Sequence, residues 1–190
     1  MKLLNSKIKK AALALTVSAL FIPQNIFASW DSVGIGGHFS NRTIPYAIST
    51  DVPAAWKTAA ESAAQTWTGN TICSLPRTTP NKVTVYAYNY GYNGTYGQTY
   101  VNPGFFVLTF TGGNIQFNTF YDYDSDFKVF IAKHEFGHIL SLDDVDHYDT
   151  MYDGYSLLNV EEAMAQGELP QVLGADDITG VNTIYADVPN

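Results

Sequence analysis

Two histidines and a glutamate in the stretch HEFGHILSLDD, residues 134–144, have the types and spacing of a metal site. His134 and His138 are four residues apart, so on a helix their side chains project from one face about one turn apart. Imidazole nitrogens at this spacing bind zinc, and the intervening Glu135 is a candidate general base. Apolar neighbours predict a buried helix, in which an ionisable group needs a partner. The stretch therefore predicts a zinc site.

The residues around and after this motif resemble the metzincin zinc peptidases. Their extended pattern is H-E-x-x-H-x-x-G-x-x-H, followed by a methionine turn. His134, Glu135 and His138 match the pattern. Leu142 and Met151 stand where matrixin-like members carry a leucine and the turn methionine. The resemblance implies a peptidase of the metzincin fold.

Two positions depart from the family pattern. Asp144 replaces the third histidine, ten residues after His134, as in the small snapalysin-type secreted peptidases. The resemblance therefore implies that His134, His138 and Asp144 hold one catalytic Zn²⁺. Ser141 replaces the glycine at which the helix reverses. A left-handed turn there costs a non-glycine residue roughly 1–2 kcal/mol.

The resemblance also assigns the substrate cleft. Met151 is implied to lie under the metal, and Tyr155 to line the primary specificity pocket. The run from Met151 to Tyr155 parallels the matrixin pattern Met-Tyr-Pro-x-Tyr, with Asp153 in place of proline. In matrixin-like enzymes a substrate backbone pairs as an added strand along an exposed edge. The segment that matches this edge consists of Gln98, Thr99, Tyr100 and Val101.

Together these residues predict a zinc-dependent endopeptidase. Zinc with three protein ligands keeps one position for water, which the metal acidifies. Glu135 can take the proton of that water and pass it to the leaving amine. An aspartate ligand lowers the charge of the metal centre, which makes the water less acidic and places more demand on Glu135.

Several alternatives stay open at this point. Two histidines and one carboxylate also describe non-haem iron oxygenases. The third ligand could instead be His147, or Glu161 as in gluzincins, which take a glutamate from a later helix. A non-catalytic binding module that retains a metal is the remaining alternative, and Ser141 is its only hint.

The first 28 residues have the succession of a secretory signal peptide. Four lysines precede an apolar run at 11–22, Pro23 breaks it, and Ala28 offers a small residue for cleavage before Ser29. The apolar run is too short for a membrane span, which needs roughly 20 residues. We therefore expect an extracellular protein whose single catalytic domain covers residues 29–190.

The net charge limits the partners expected of the chain, and the cysteine count limits its disulfides. The chain has a net charge of −8, and loss of the four signal lysines leaves −12. So acidic a protein is not expected to bind nucleic acid, or anionic membrane after signal cleavage. We expect a monomer that acts on protein or peptide substrates. The single cysteine, Cys73, cannot form an internal disulfide and is interpreted as a structural or free thiol.

A calcium site is considered but not favoured. Asp122, Asp124 and Asp126 alternate as in a calcium loop. Phe127 and Lys133, however, occupy the positions at which an EF-hand needs glycine and glutamate. Ser125 or Asp126 as a helix N-cap is the preferred interpretation, and Ca²⁺ binding is left undecided.

Hydrophobic periodicity predicts an α+β domain. The resemblance gives its architecture: a twisted, mostly parallel five-stranded sheet with one antiparallel edge strand, an active-site helix and a C-terminal helix. Strands are predicted at 43–49, 82–90, 98–101, 105–110 and 114–118, with a turn at 111–113. Helices are predicted over 127–142, from Asn159, and over 176–185. A further helix is predicted to end at Asn70 and to begin with Asp51 as its cap and Pro53 as an early proline.

Overall fold

The structure is a computed structural model that describes residues 35–104, 108–144 and 172–190. Its elements are the strands β1 (His38–Phe39), β2 (Tyr46–Ile48), β3 (Val83–Tyr88), β4 (Gly97–Pro103) and β5 (Thr109–Asn118), and the helices α1 (Ala54–Asn70), α2 (Ser125–Ile139) and α3 (Ala175–Ile184). Within the described ranges no helix is long and apolar enough to span a bilayer. The predicted signal peptide, methionine turn and helix from Asn159 lie outside the described residues.

The strands form one mixed sheet. Strands β1, β5, β3 and β2 are hydrogen-bonded in that order and run parallel, while β4 pairs antiparallel with β5. Helix α1 is the crossover between the parallel neighbours β2 and β3, the connection that parallel strands require. The predicted five-stranded, mostly parallel sheet with one antiparallel edge strand is confirmed.

Strand β5 corrects the prediction of two strands separated by a turn. Gly112 and Gly113, expected in that turn, lie inside one continuous strand over Thr109–Asn118. A Cβ on Gly113 would lie 2.7 Å from the carbonyl oxygen of Tyr100, and one on Gly112 would lie 3.0 Å from that of Lys82. Glycine within a strand often marks such close backbone approach rather than a turn.

Helix α1 packs against both the sheet and helix α2. Trp56 stacks on Phe117 of β5 at a ring-centroid distance of 4.4 Å. Trp67 is fully buried, and its indole N–H donates to the backbone carbonyl of Lys133, 2.9 Å away. Four alanines on the buried face allow close approach: Ala59, Ala60, Ala63 and Ala64.

The N-cap positions of the first two helices differ from the sequence prediction. Pro53 precedes α1 without a side-chain cap, and Asp51 instead accepts a hydrogen bond from the Thr50 hydroxyl. At α2 the cap is Asp124, whose carboxylate accepts from the Phe127 backbone N–H at 2.9 Å. The alternating aspartates therefore include a helix cap, one residue before the predicted position.

Helix α3 closes the domain against the N-terminal part of the described chain. It covers 175–184, close to the predicted 176–185. The Tyr185 hydroxyl accepts a hydrogen bond from the Phe39 N–H at 3.3 Å, and the Arg42 side chain donates to the Tyr185 carbonyl at 2.9 Å. The buried Asp177 carboxylate accepts from the Gly174 N–H at 2.8 Å, which stabilises the start of the helix.

Candidate metal centre

The active-site helix ends in a sharp reversal. Helix α2 stops at Ile139, and Ser141 has the left-handed backbone conformation, with φ of +77°. The Ser141 N–H donates to the His138 carbonyl at 3.0 Å, and the Ser141 carbonyl accepts from the Ile35 N–H at 2.9 Å. The Ser141 hydroxyl, fully buried, lies 3.5 Å from that of Tyr185. The left-handed turn expected at this position is confirmed, and these contacts hold it.

The reversal brings Asp144 back over the two histidines. The Nε2 atoms of His134 and His138 are 3.0 Å apart. Oδ1 of Asp144 lies 3.3 Å from Nε2 of His134 and 3.5 Å from Nε2 of His138. The Asp144 N–H is fixed by a 2.9 Å hydrogen bond to the Asp143 carboxylate. Three side chains from a helix and the following loop thus direct one atom each to a common point.

These distances fit a tetrahedral zinc ion. Ligands about 2.0–2.1 Å from zinc in tetrahedral geometry are separated from one another by roughly 3.3 Å. The three observed separations run from 3.0 to 3.5 Å. Neutral imidazole and carboxylate are donors that zinc accepts. Within the described part of the chain, this triplet is the group of histidine, cysteine and acidic residues that could hold a metal ion.

The orientation of His138 also suits a metal ligand. Its Nδ1 lies 2.9 Å from the carbonyl oxygen of Leu142. Because a carbonyl can only accept, Nδ1 carries the proton, and in the neutral ring Nε2 keeps its lone pair. Hydrogen bonding of the second ring nitrogen to a backbone carbonyl is the usual support of a metal-binding histidine.

Glu135 lies between the two histidines in sequence and is only 4 % exposed. Burial raises the pKa of its carboxyl to about 7, against the opposing effects of His138 and of a hydrogen bond from Thr99, while Asp144 raises it further. A carboxyl with a pKa near neutrality is suited to accept and release a proton in turn. The site therefore joins a candidate metal centre to a candidate general base.

Strand β4 lies beside this carboxyl and presents two different faces. The Thr99 hydroxyl is 2.7 Å from Oε2 of Glu135, and Gly97 lies against the other carboxylate oxygen. Gln98 and Tyr100 alternate to the opposite face, where the Tyr100 hydroxyl donates to the Gln98 side chain at 2.6 Å. Val101 packs partly buried against the core. Of the predicted cleft segment, Thr99 thus contacts the candidate base.

The backbone groups at the edge of β4 that faces away from β5 can be identified from the ladder. Among the described strands, β4 pairs only with β5. The Asn118 N–H donates to the Tyr96 carbonyl at 2.9 Å, and hydrogen-bonded pairs alternate along an antiparallel ladder. Gln98 and Tyr100 therefore bond to β5, whereas the backbone groups of Gly97, Thr99 and Val101 point away from it.

The remaining predicted site residues lie outside the described residues: Met151, Tyr155, His147 and Glu161. Sequence reasoning missed two contributions to the site. The Leu142 carbonyl that orients His138 carries no side-chain signal. Gly97 shares a strand face with Thr99 by simple alternation, but the element facing them could not be known from the strand itself.

Comparisons with known proteins give a structural similarity only. No family model and no curated protein matches the chain. A chain of the GM1-bound form of the ECX AB5 holotoxin superposes with a TM-score of 0.55 and 12 % identity, over 80 % of this chain and 87 % of that chain. High choriolytic enzyme 1, a hatching enzyme zinc-protease from Oryzias latipes (medaka fish), gives a TM-score of 0.49 and 16 % identity, over 85 % of this chain and 99 % of that chain. The first similarity, at 12 % identity, shows a shared fold and no shared function. The TM-score of the second structure is too low to show a shared fold.

Proposed function

We propose that this protein is a secreted zinc-dependent endopeptidase. The observation that carries the proposal is the convergence of His134, His138 and Asp144 on one point, next to the buried carboxyl of Glu135. The resemblance of this stretch to the metzincin peptidases, including the snapalysin-type aspartate, supports the same conclusion.

Each residue has a separate task in the proposed hydrolysis. His134, His138 and Asp144 would hold the ion. When bound, zinc lowers the pKa of a water molecule and polarises the scissile carbonyl. Glu135 takes a proton on its carboxylate and later donates it to the leaving amine, the work of a general base and acid. Burial of Glu135 favours the protonated form that the second step requires.

The free edge of β4 is the proposed binding site for the substrate backbone. Gly97, Thr99 and Val101 direct their N–H and carbonyl groups away from β5, so an extended peptide can pair with them as an added strand. This pairing uses only backbone groups, so it can bind polypeptides of varied sequence. Tyr155 remains the proposed lining of the specificity pocket.

Export is a proposal from the sequence. Cleavage after Ala28 would release a monomer that begins at Ser29. Intact-mass measurement of secreted protein tests this, and secreted material that retains Met1 would disprove it.

Casein cleavage by the purified protein, with and without a chelator, tests the proposed activity. We expect activity that the chelator removes and zinc restores. Glu135→Gln keeps the size and shape of the side chain but not its basicity, so it should lower kcat by at least roughly 10²–10⁴-fold with unchanged zinc content. Metal-loaded wild-type protein without cleavage would favour the binding module.

A further inference from the structure

Strand β4 approaches Glu135 so closely that one of its residues can have no side chain. A Cβ built on Gly97 would lie 2.8 Å from both Cγ and Cδ of Glu135, and closer still to Oε1. Carbon atoms do not approach each other to this distance without a shift of the backbone or of the carboxylate. The φ of Gly97 is not positive, so the strand needs glycine here for space rather than for conformation.

Two residues further along the same strand face, Thr99 contacts the other carboxylate oxygen. Its hydroxyl is 2.7 Å from Oε2 of Glu135 and 3.0 Å from the backbone carbonyl oxygen of the same residue. A threonine hydroxyl has one proton, and the shorter contact places it on the carboxylate. Thr99 is thus bonded to the side chain of Glu135 at the point where α2 crosses β4.

Strand β4 is itself held in place around these contacts. Gly97 and Thr99 lie opposite Phe117 and Ile115 of β5, both fully buried, in a regular stretch of the ladder whose irregularity comes later, after Asn102. A group that contacts Glu135 from this strand therefore has a fixed position relative to the core. Catalytic side chains placed by regular elements are held more precisely than those placed by loops.

We propose that Gly97 and Thr99 position the carboxylate of Glu135 for its role in hydrolysis, an inference that rests on the proposed function. Gly97 leaves the space that one oxygen occupies, and the Thr99 hydroxyl fixes the other. The backbone of the same two residues lies on the free edge of β4, where the substrate is proposed to pair. One strand thus sets the position of the base relative to the peptide bond, and a displacement of about 1 Å can cost roughly 10²-fold in rate.

Thr99→Val and Thr99→Ser form the test. Valine keeps the shape but removes the hydroxyl, so kcat should fall roughly 10–100-fold while KM and zinc content stay at the wild-type values, because the backbone edge and the metal ligands are unchanged. Serine restores the donor and should recover most of kcat. Gly97→Ala should lower kcat with no such rescue.

Thr84→Val is the matched control, since Thr84 is a half-buried strand threonine whose hydroxyl accepts from the Asn81 side chain at 2.8 Å, on β3. It should leave kcat unchanged. A crystal structure of the metal-free Thr99→Val protein supplies a second readout, and we expect the Glu135 carboxylate to move away from β4. Wild-type kcat in Thr99→Val, or a carboxylate that stays in place, would overturn the positioning role. If the carboxylate is displaced in Thr99→Val but the wild-type protein cleaves no peptide, the proposed function is overturned and the contact of Thr99 with Glu135 is not.

Discussion

At the scale of residues, the site depends on groups whose ordinary preferences are overridden by their surroundings. Glu135 is almost completely buried, and Ser141 has a backbone conformation that favours glycine. The Thr99 hydroxyl contacts the carboxylate of Glu135, and the Tyr185 hydroxyl contacts the hydroxyl of Ser141. The functional consequence of each can be measured separately.

The raised pKa of Glu135 predicts how the stability of the metal-free protein depends on pH. Burial raises this pKa from 4.5 to about 7, so the folded state favours the protonated carboxyl. The resulting stability is fully present below pH 4.5 and is lost as the pH rises through about 7. Between these pH values the free energy of unfolding, measured with urea, should fall by roughly 3 kcal/mol more in the wild type than in Glu135→Gln. Equal pH dependence of the two proteins would show that the pKa of Glu135 is not raised.

Ser141 predicts a contrast between two substitutions. Ser141→Gly relieves the left-handed conformation but loses the weak contact with Tyr185 and gains freedom in the unfolded chain, so the free energy of unfolding should change by less than about 1 kcal/mol. Ser141→Val places a β-branched side chain at a φ of +77° and should destabilise by roughly 2 kcal/mol or more, with loss of zinc affinity. Urea unfolding and zinc titration check both variants; equal stabilities would argue against strain at this turn.

The ligand residues were predictable from sequence because their spacing follows the helical repeat. The 3.0 Å separation of the two Nε2 atoms is what a four-residue spacing on a helix allows. The position of Asp144 was inferred from a family offset, and only the geometry after Ser141 shows that its carboxylate reaches both histidines. The contacts of Thr99 and Gly97 join two elements distant in sequence, which one-dimensional patterns cannot relate.

At the scale of elements, the order of strands and helices followed from periodicity, while their ends did not. Helix α3 and strand β3 lie close to their predicted ranges. The prediction of two strands in place of β5 is wrong. Gly112 and Gly113 indicate a turn in the sequence, but in the structure they allow the close approach of β4 and of the chain at Lys82. The cap of α2 shifted to Asp124 because any of three nearby polar residues could serve.

The contact between α1 and α2 predicts an effect of Trp67 on stability. Its indole N–H donates to the Lys133 carbonyl, and Lys133 directly precedes His134. Trp67→Phe keeps an aromatic ring but removes the donor and some volume, so we expect a loss of roughly 1–3 kcal/mol in the free energy of unfolding. Urea unfolding measures this, with Trp56→Phe as the control, because Trp56 stacks on Phe117 and should lose mainly packing. A loss no larger than that of the control would show that the hydrogen bond contributes little.

At the scale of the whole molecule, the sheet and helices α1 and α2 position the candidate metal centre. It lies between the chain that follows α2 and the edge of β4 with which no other described strand pairs. The core between α1, α2 and the sheet is apolar, so the ionisable groups of the site stand at its border. Cys73 is buried with a pKa raised to about 12 by burial, as expected for a structural thiol.

Zinc stoichiometry and affinity, measured on the purified protein and a set of single variants, test whether His134, His138 and Asp144 hold one zinc ion. We expect one zinc per wild-type chain. Asp144→Ala should lower zinc affinity by more than roughly 100-fold, since it removes a direct ligand. Asp143→Ala removes an acceptor of the Asp144 N–H but no candidate ligand, so it should retain the metal. His147→Ala should also retain it, and Asp144→His should restore the affinity that Asp144→Ala loses. Loss of zinc in His147→Ala with full retention in Asp144→Ala would show that His147, and not Asp144, is the third ligand.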